Sequence, residues 1–365
     1  MSPKSIRNLI IILMTGVTIT ALSAWLVGVP TGTGEVSAQT SRVITLKAVG
    51  DIMPGTNFPR NLLPRGRGEE LLQKIGSRLT GADVLFGNFE STLTTYPRTA
   101  KNTKRKLIFA FRTPPKYART FREAGFNVLS VANNHSHDFY PRGYRDTIRN
   151  IRAAGMTPVG ERNRIEYVDV KGVKIAFIGF GYTNRHNNIR NIRASAALVR
   201  KAAKQASIVI LSMHAGAEGA RALHTRDRTE KFYGENRGNL VRFSRAMIRN
   251  GADLVLGHGP HVPRALELYR GRLVAYSLGN FIGYRMFRIS GPNGLSLILD
   301  LRLDEQGQFL SGQVIPVRLR GRGVPEYDPQ GRTIKLMQRL IRADFPRTPL
   351  RLTSSGKILR TGSPQ

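Results

Sequence analysis

The sequence contains no cysteine, and this absence excludes several chemistries at once. A chain without cysteine has no thiol nucleophile, no thiolate metal ligand and no disulfide bond. Any metal ion that it binds must be held by oxygen and imidazole ligands. The absence also fits an exported protein.

Acidic residues are scarce, since 24 Asp and Glu stand against 57 Lys and Arg, which gives a net charge of +33. Such an excess attracts polyanions, among them nucleic acid, anionic lipid and acidic polymers. A general bias of the source proteome toward arginine explains the excess equally well, and both explanations stay open. No helix-turn-helix, zinc-finger or RNP-type pattern occurs, so we expect no nucleic-acid partner.

Several catalytic signatures are missing as well. The chain has no Walker A string, no complete G-x-G-x-x-G, no G-x-S-x-G and no H-E-x-x-H. Nucleotide-loop, serine-hydrolase and zincin mechanisms are therefore disfavoured. With 365 residues, of which 41% are hydrophobic and 22% charged, the chain has the length for one large globular domain or two smaller ones.

One long apolar run is present, and it lies at the amino terminus. Lys4 and Arg7 precede an apolar stretch of about 20 residues, which is long enough for a single membrane span. The basic residues predict that this end stays in the cytoplasm. We predict a signal peptide or an uncleaved anchor in residues 1–30 and a linker in 31–42. Either alternative places the remainder outside the cytoplasm, at the cell membrane or secreted.

Strand-like and helix-like segments alternate through the rest of the chain. Predicted strands cover residues 43–49, 84–86, 128–132, 208–213 and 254–256, and predicted helices cover 69–79, 114–124, 144–154, 193–206, 240–249 and 334–341. Paired apolar runs around Lys171-Gly172, Arg270-Gly271 and Gln306-Gly307 predict hairpins. We predict an α/β fold with mixed sheets between helices in residues 43–320, followed by a helix and a loose basic tail in 321–365.

Five polar motifs follow the five predicted strands. They are Gly50-Asp51-Ile52-Met53, Gly87-Asn88-Phe89-Glu90, Asn133-Asn134-His135-Ser136-His137-Asp138, His214-Ala215-Gly216-Ala217-Glu218 and Gly257-His258-Gly259-Pro260-His261. The carboxyl ends of the strands line one edge of an α/β sheet, and ligands bind there. We therefore expect the motifs to converge on one crevice.

The oxygen-bearing residues in these motifs suit a hard cation. Asp51 and Glu90 offer carboxylates, and Asn134 offers a side-chain carbonyl. Asp51 taken alone fits a helix N-cap or a turn equally well, and Asn88 could satisfy turn backbone groups. Asn133 and Asn134 are costly to bury unless their amides are used, which favours a functional role.

Imidazoles complete the predicted ligand set. His214 ends an apolar strand, where a buried core histidine is the alternative. His258 and His261 lie on a Gly/Pro turn that can aim both rings at one point. One or two divalent ions, Mn, Zn or Fe, are compatible with such nitrogen and oxygen ligands. The fitting chemistry is metal-assisted hydrolysis.

A proton donor is also predicted. His135 can act as the general acid toward a leaving group, and Asp138 can orient one of the imidazoles of this motif by accepting its other N–H. His137 is as suited to solvent exposure as to ligation. His186 and His224 lie in polar basic loops and are predicted to be surface residues.

The five motifs, together with Tyr276-Ser277-Leu278-Gly279-Asn280-Phe281, resemble those of the CapA family of poly-γ-glutamate capsule biosynthesis proteins. The resemblance covers about residues 43–319. That family is similar to the calcineurin-like metallophosphoesterases, which implies a four-layer αββα sandwich of metallophosphatase type. It implies metal ligands at Asp51, Asn134, His214, His258 and His261, a catalytic role for His135, and a substitute ligand at Glu90. We assign substrate contacts to Asn88, Asn133, Glu218 and Asn280.

Three positions depart from the phosphoesterase pattern. Met53 stands where a histidine ligand is usual, and Asn88 stands where a bridging aspartate is usual. Ala215 replaces a bulky aromatic residue and would widen the site. The resemblance therefore implies fewer ligands than a full two-metal centre has.

Three functions follow as expectations. The first is a membrane-associated protein that handles poly-γ-glutamate or a related anionic polymer, with other capsule-synthesis membrane proteins as partners. The second is a metal-dependent phosphoesterase or amide hydrolase with a phosphate-containing or lipid substrate. The third is a scaffold that binds a polyanion by charge and keeps a relic site.

Overall fold

The computed structural model describes residues 42–104 and 108–361. The predicted signal or anchor segment in residues 1–30 and the linker up to residue 41 lie outside the described residues. Within the described ranges, no helix is long and apolar enough to cross a bilayer.

Twenty-one strands and five α-helices are assigned within the described residues. The strands are β1 (Ile44–Met53), β2 (Val84–Phe89), β3 (Thr92–Leu93), β4 (Arg112–Thr113), β5 (Val128–Ser130), β6 (Thr157–Val159), β7 (Glu166–Val170), β8 (Val173–Gly181), β9 (Asn187–Asn188), β10 (Ile208–His214), β11 (Glu230–Phe232), β12 (Glu235–Gly238), β13 (Leu254–His258), β14 (Leu266–Tyr269), β15 (Arg272–Ala275), β16 (Asn280–Gly283), β17 (Leu295–Leu303), β18 (Phe309–Arg320), β19 (Val324–Tyr327), β20 (Leu350–Leu352) and β21 (Lys357–Arg360). The helices are α1 (Tyr117–Glu123), α2 (Tyr140–Ala153), α3 (Ile192–Ala203), α4 (Leu240–Arg249) and α5 (Arg332–Asp344).

Two mixed sheets carry the fold. The first sheet has the order β20-β21-β18-β17-β1-β2-β5-β6, with β16 paired to β1 and β19 paired to β18. The second sheet has the order β14-β15-β13-β10-β8-β7, with β9 paired to β8. The predicted hairpins appear as β7–β8, β14–β15 and β17–β18. A mixed α/β fold was expected, and the structure has one.

The inner faces of the two sheets pack against each other. Alternate side chains of a strand point to opposite faces, and Phe86 of the first sheet stacks on Phe177 of the second at 6.3 Å. The hydroxyl of Ser212 in β10 donates to that of Ser130 in β5 at 2.9 Å. Helices cover both outer faces: Phe121 of α1 contacts Phe89, and Phe243 of α4 contacts Phe180. The layers therefore run helix, sheet, sheet, helix.

Two local predictions were wrong. Residues 69–79 form two short 3-10 turns, Glu69–Leu71 and Gly76–Arg78, instead of one helix. The apolar residues of this segment are buried as expected, but Gly76 disfavours a continuous helix through residues 69–79. The tail after residue 348, expected to be loose, adds β20 and β21 to the edge of the first sheet through β18.

Candidate metal centre

A bulge in β1 brings Asp51 to the inner face of the first sheet. Ala48 pairs with Phe86 and Asp51 pairs with Asn88, so three residues of β1 advance against two of β2. Because one extra residue reverses the alternation of faces, Asp51 lies on the same side as Phe86 and Asn88. Gly50 permits the bulge, since a Cβ there would lie 1.9 Å from the carbonyl oxygen of Gly279.

The second sheet supplies two histidines by the same alternation. Ser212 and His214 end the inner face of β10, and His258 ends that of β13. His214 and His258 are directly opposite each other in the parallel pair. The site is therefore built across the gap between the sheets, at the carboxyl ends of their central strands.

The ligand atoms of Asp51, Glu90 and His261 lie within 4.8 Å of one another and can hold a metal ion. Nδ1 of His261 is 3.1 Å from Oδ2 of Asp51, and its Nε2 is 3.7 Å from Oε1 of Glu90. His214 joins them, with Nε2 3.6 Å from Oε1 of Glu90. Nδ1 of His258 is 3.5 Å from Oδ1 of Asp51. Five of the six predicted metal ligands thus come together.

Several buried atoms of this cluster have no hydrogen-bond partner among the described residues. They are both carboxylate oxygens of Glu90, both ring nitrogens of His258, and Nε2 of His214. Asp51, Glu90, His214 and His258 are each 0% exposed. Buried polar groups are nearly always paired, so this concentration of unpaired donor and acceptor atoms requires an explanation. A divalent cation fits the donor set, because carboxylate oxygen and imidazole nitrogen both ligate such ions.

Burial and the mutual interaction of the charged groups shift the pKa values of Asp51, Glu90 and His261. Burial alone would raise the pKa of Asp51, but His258 and His261 hold it well below its usual range. Burial raises the pKa of Glu90 well above its usual range. Burial opposes a charge on His261, yet Glu90 and Asp51 outweigh it and raise its pKa to about 10. The protons on Glu90 and His261 must leave before these groups can ligate a cation.

The turn after β13 aims His261 at the cluster. His261 has a φ of 58°, a left-handed conformation that non-glycine residues adopt infrequently and that clusters at functional sites. The side chain of Asn280 holds the ring, since its Oδ1 lies 2.8 Å from Nδ1 of His261. The backbone N–H of Gly259 donates to Oδ2 of Asp51 at 3.2 Å. Asn280 was predicted as a substrate contact, and the structure places it against His261.

Asn88 and Asn133 link the cluster to the third motif. Nδ2 of Asn88 donates to Oδ1 of Asp51 at 2.8 Å and lies 3.2 Å from Nδ1 of His214. Nδ2 of Asn133 donates to Oδ1 of Asn88 at 3.2 Å, and its Oδ1 accepts from the backbone N–H of His135. The amides therefore form a continuous hydrogen-bonded path from Asp51 to the loop that carries His135.

Of the imidazoles in this motif, the one that Asp138 orients is that of His135. Its Nδ1 lies 2.7 Å from Oδ2 of the fully buried Asp138, and its ring stacks on Phe111 at 4.2 Å between centroids. Asp138 also accepts from the backbone N–H of Phe111. With Nδ1 occupied, Nε2 is the ring nitrogen that is left to exchange a proton. Asn134, the sixth predicted ligand, has a buried Oδ1 without a hydrogen-bond partner among the described residues.

Glu218 lies at the rim of the cluster. Its Oε2 is 3.8 Å from Nε2 of His261, and its Oε1 accepts from Arg237 at 2.7 Å. The fully buried Arg264 pairs with Glu230 and donates to the carbonyl oxygen of Ala217. Sequence reasoning missed Arg237, Glu230 and Arg264. They belong to no local motif, and their contacts arise only when the β11–β12 hairpin folds over the loop after β10.

The prediction for His186 was wrong. The residue is 2% exposed, and its Nδ1 donates to the carbonyl oxygen of Gly160 at 2.8 Å. Its Nε2 lies 2.8 Å from Oγ of Ser136, within the loop that carries His135. Its polar neighbours in sequence concealed this burial. His224 is exposed as predicted, and His137 is partly buried and stacks on Tyr144.

Comparisons with known proteins agree with these motifs. Residues 45–285 match the family described as bacterial capsule synthesis protein PGA_cap. The chain is 28% identical over 267 residues to the PGA biosynthesis protein CapA of Bacillus subtilis (strain 168), covering 68% of this chain and 66% of that protein. It is 26% identical over 260 residues to the capsule biosynthesis protein CapA of Bacillus anthracis, covering 66% and 59%. The chain thus spans less than two thirds of the length of these relatives.

Among solved structures, the chain is similar to the 5′-nucleotidase precursor from Thermus thermophilus. The TM-score is 0.43 and the sequence identity is 13%, with 83% of this chain and 59% of that chain covered.

Proposed function

The chain belongs to the bacterial capsule synthesis protein family PGA_cap and is similar to CapA proteins, and on that premise we propose that it is an accessory protein of anionic-polymer synthesis or export with a metal-dependent hydrolytic site. We place it outside the cytoplasm, associated with the membrane through residues 1–30 and with other capsule-synthesis proteins. The polymer is poly-γ-glutamate or a related polyacid. The net charge of +33 supports such a partner.

The observation that supports the hydrolytic part is that buried atoms of Glu90, His214 and His258 have no hydrogen-bond partner in the part of the chain that the structure describes. A purely structural cluster would satisfy its own hydrogen bonds. Asp51, Glu90, His214, His258 and His261 would hold the ion, with Asn134 as a further candidate. A divalent ion in such a site supplies a Lewis acid and lowers the pKa of water.

The protein's own groups then account for positioning and proton transfer. Asp138 fixes the ring of His135, so that Nε2 can give a proton to a leaving nitrogen or oxygen. Phe111 packs on the same ring and limits its rotation. Asn88 and Asn133 couple the position of this loop to that of Asp51. In a polyamide substrate the leaving group is the amine of a γ-glutamyl bond.

Metal content is the first test. Plasma mass spectrometry on the full chain, before and after incubation with Mn or Zn, should find metal that is lost in His258→Ala and in Asp51→Ala. His224→Ala, which removes an exposed histidine, is the matched control and should retain the metal. If the wild type takes up no metal, the hydrolytic proposal is wrong, and a polymer-binding scaffold remains.

Activity is the second test. His135→Ala should keep its metal yet lose about 10²- to 10⁴-fold in turnover, because general acid catalysis contributes that much. γ-Glutamyl amides and phosphate esters should be assayed side by side. Hydrolysis of phosphate esters alone would replace the proposed polymer reaction with a phosphoesterase, since the same residues suit both leaving groups.

A further inference from the structure

A cavity with a volume of about 960 Å³ lies away from the metal centre. It is lined by the β14–β15 hairpin, the segment after α5 and the end of β21. Leu273 of β15 pairs with Leu254, the first residue of β13, whereas His258 is the last. The hairpin turn therefore lies at the amino edge of the second sheet, at least about 13 Å from His258 at 3.3 Å per residue.

Three exposed arginines line this groove: Arg270 at the hairpin turn, Arg347 after α5 and Arg360 in β21. None of them makes an ion pair or a side-chain hydrogen bond with another described residue. A Cβ built on Gly271 would lie 4.0 Å from a guanidinium nitrogen of Arg360, so two walls of the groove approach each other there. The positive charge of these residues is open to a ligand.

The two acidic residues of the groove do not neutralise them. Glu267 accepts two hydrogen bonds from Arg245 and one from the hydroxyl of Tyr276. Asp344 accepts from Nδ1 of His224 and from the backbone N–H of Thr225. Both carboxylates are thus engaged inside the protein, and the groove keeps the charge of its three free arginines.

We propose that this groove is a second binding site for a carboxylate-bearing polymer chain, separate from the metal centre. Guanidinium groups bind carboxylates bidentately, and three of them in one groove give it a charge complementary to that of a polyacid. The inference rests on the proposed polymer partner and does not require the metal centre. The site would hold the chain away from the hydrolytic cluster.

The shape and composition of the groove favour a polyacid over other polyanions. A concave groove encloses an extended chain, whereas a bilayer presents a broad surface. Single-stranded nucleic acids need exposed aromatic faces on which bases stack. Of the two aromatic rings that line this groove, that of Phe345 is buried against Tyr276, at 5.0 Å between centroids. The ring of Tyr269 has the guanidinium group of Arg245 over its face, at 5.3 Å.

The test is the affinity of the metal-free full chain for labelled poly-γ-glutamate, measured by fluorescence anisotropy at two salt concentrations. The groove variant carries Arg270→Glu, Arg347→Glu and Arg360→Glu. The control variant carries Arg65→Glu, Arg145→Glu and Arg193→Glu, which are exposed and make no ion pair among the described residues. Both variants lose the same net charge, so diffuse attraction would weaken them equally.

We expect the groove variant to bind at least about tenfold more weakly than the control, because each lost contact to a charged group removes a favourable interaction. A glutamine triple at the same three arginines should show a smaller loss in the same direction, and thermal unfolding checks that each variant is folded. Equal losses in both glutamate triples, or no loss in either, overturn the proposal. The proposal is also overturned if the binding of anionic vesicles depends on these arginines and the binding of the polymer does not.

Discussion

Two buried histidines near the carboxyl edge of the sheets differ in one respect that separates structure from function. His186 is 2% exposed and has a partner for each ring nitrogen, Gly160 and Ser136. His258 is 0% exposed and has none among the described residues. Both rings are buried away from water, but only the ring of His186 makes hydrogen bonds within the described residues that replace those to water. A buried polar group that the chain leaves unsatisfied indicates a ligand, and a satisfied one indicates packing.

Glu90 and Asp253 repeat the contrast with carboxylates. Burial raises the pKa of both groups. Asp253 accepts from the backbone N–H of Val209 and pairs with Arg272, whereas both oxygens of Glu90 lack a partner among the described residues. The difference predicts opposite consequences of substitution, since the unsatisfied residues stabilise a bound ion and the satisfied residues stabilise the fold.

The largest effect is expected for Glu90→Gln. Substitution of residues that hydrogen-bond to metal ligands lowers metal affinity by about 10- to 100-fold. Substitution of a candidate ligand itself should therefore lower metal affinity by more than about a hundredfold. Stability of the metal-free protein should change little, because the amide that replaces the buried carboxyl has the same size and is also polar. Titration calorimetry with Mn or Zn and thermal melts in chelator measure the two effects.

Glu326→Gln is the control for Glu90→Gln, since this carboxylate is partly exposed and pairs with Lys74 far from the cluster. It should leave metal affinity unchanged. A Glu90→Gln protein that binds metal as tightly as the wild type would mean that the cluster is held by other residues.

An effect of similar size, but on the stability of the fold and not on metal affinity, is expected for His186→Ala. The substitution leaves Oγ of Ser136 and the carbonyl oxygen of Gly160 without their partner and opens a cavity, so we expect a loss of about 3 kcal/mol in the free energy of unfolding. Metal content should be retained. Chemical denaturation and plasma mass spectrometry check the two quantities. A variant of wild-type stability that has lost its metal would place His186 in the metal centre.

The same contrast explains which features of the site could be predicted from the sequence and which could not. Asp51, Asn88, His214 and His258 were predicted to converge because strand ends meet at one edge, and they do. The burial of His186 could not be predicted, because Gly160 and Ser136, which enclose it, are distant in sequence. The same holds for Arg264 and Glu230. The strands β20 and β21 were missed because each is only three or four residues long and contains basic residues. They form by pairing at the edge of an existing sheet.

The smallest effect is expected at Asp253, and it depends on pH. Burial, partly offset by Arg272, raises the pKa of this carboxyl from 3.8 to about 6. The folded state therefore holds the proton more tightly than the unfolded state, and this contribution to stability is present below about pH 4 and is lost as the pH rises through 6. At 1.36 kcal/mol per pKa unit, and with allowance for screening at a group that is not fully buried, the loss is about 2 kcal/mol.

The Asp253→Asn variant has no proton to lose at this position. The difference in unfolding free energy between the wild type and this variant should therefore shift by about that amount between pH 4 and 7, in favour of the variant at the higher pH. Urea denaturation at closely spaced pH values measures the shift. A constant difference across this range would mean that Arg272 and Val209 fully compensate the charge of Asp253. The carboxyl would then lose its proton at the same pH in the folded and the unfolded state.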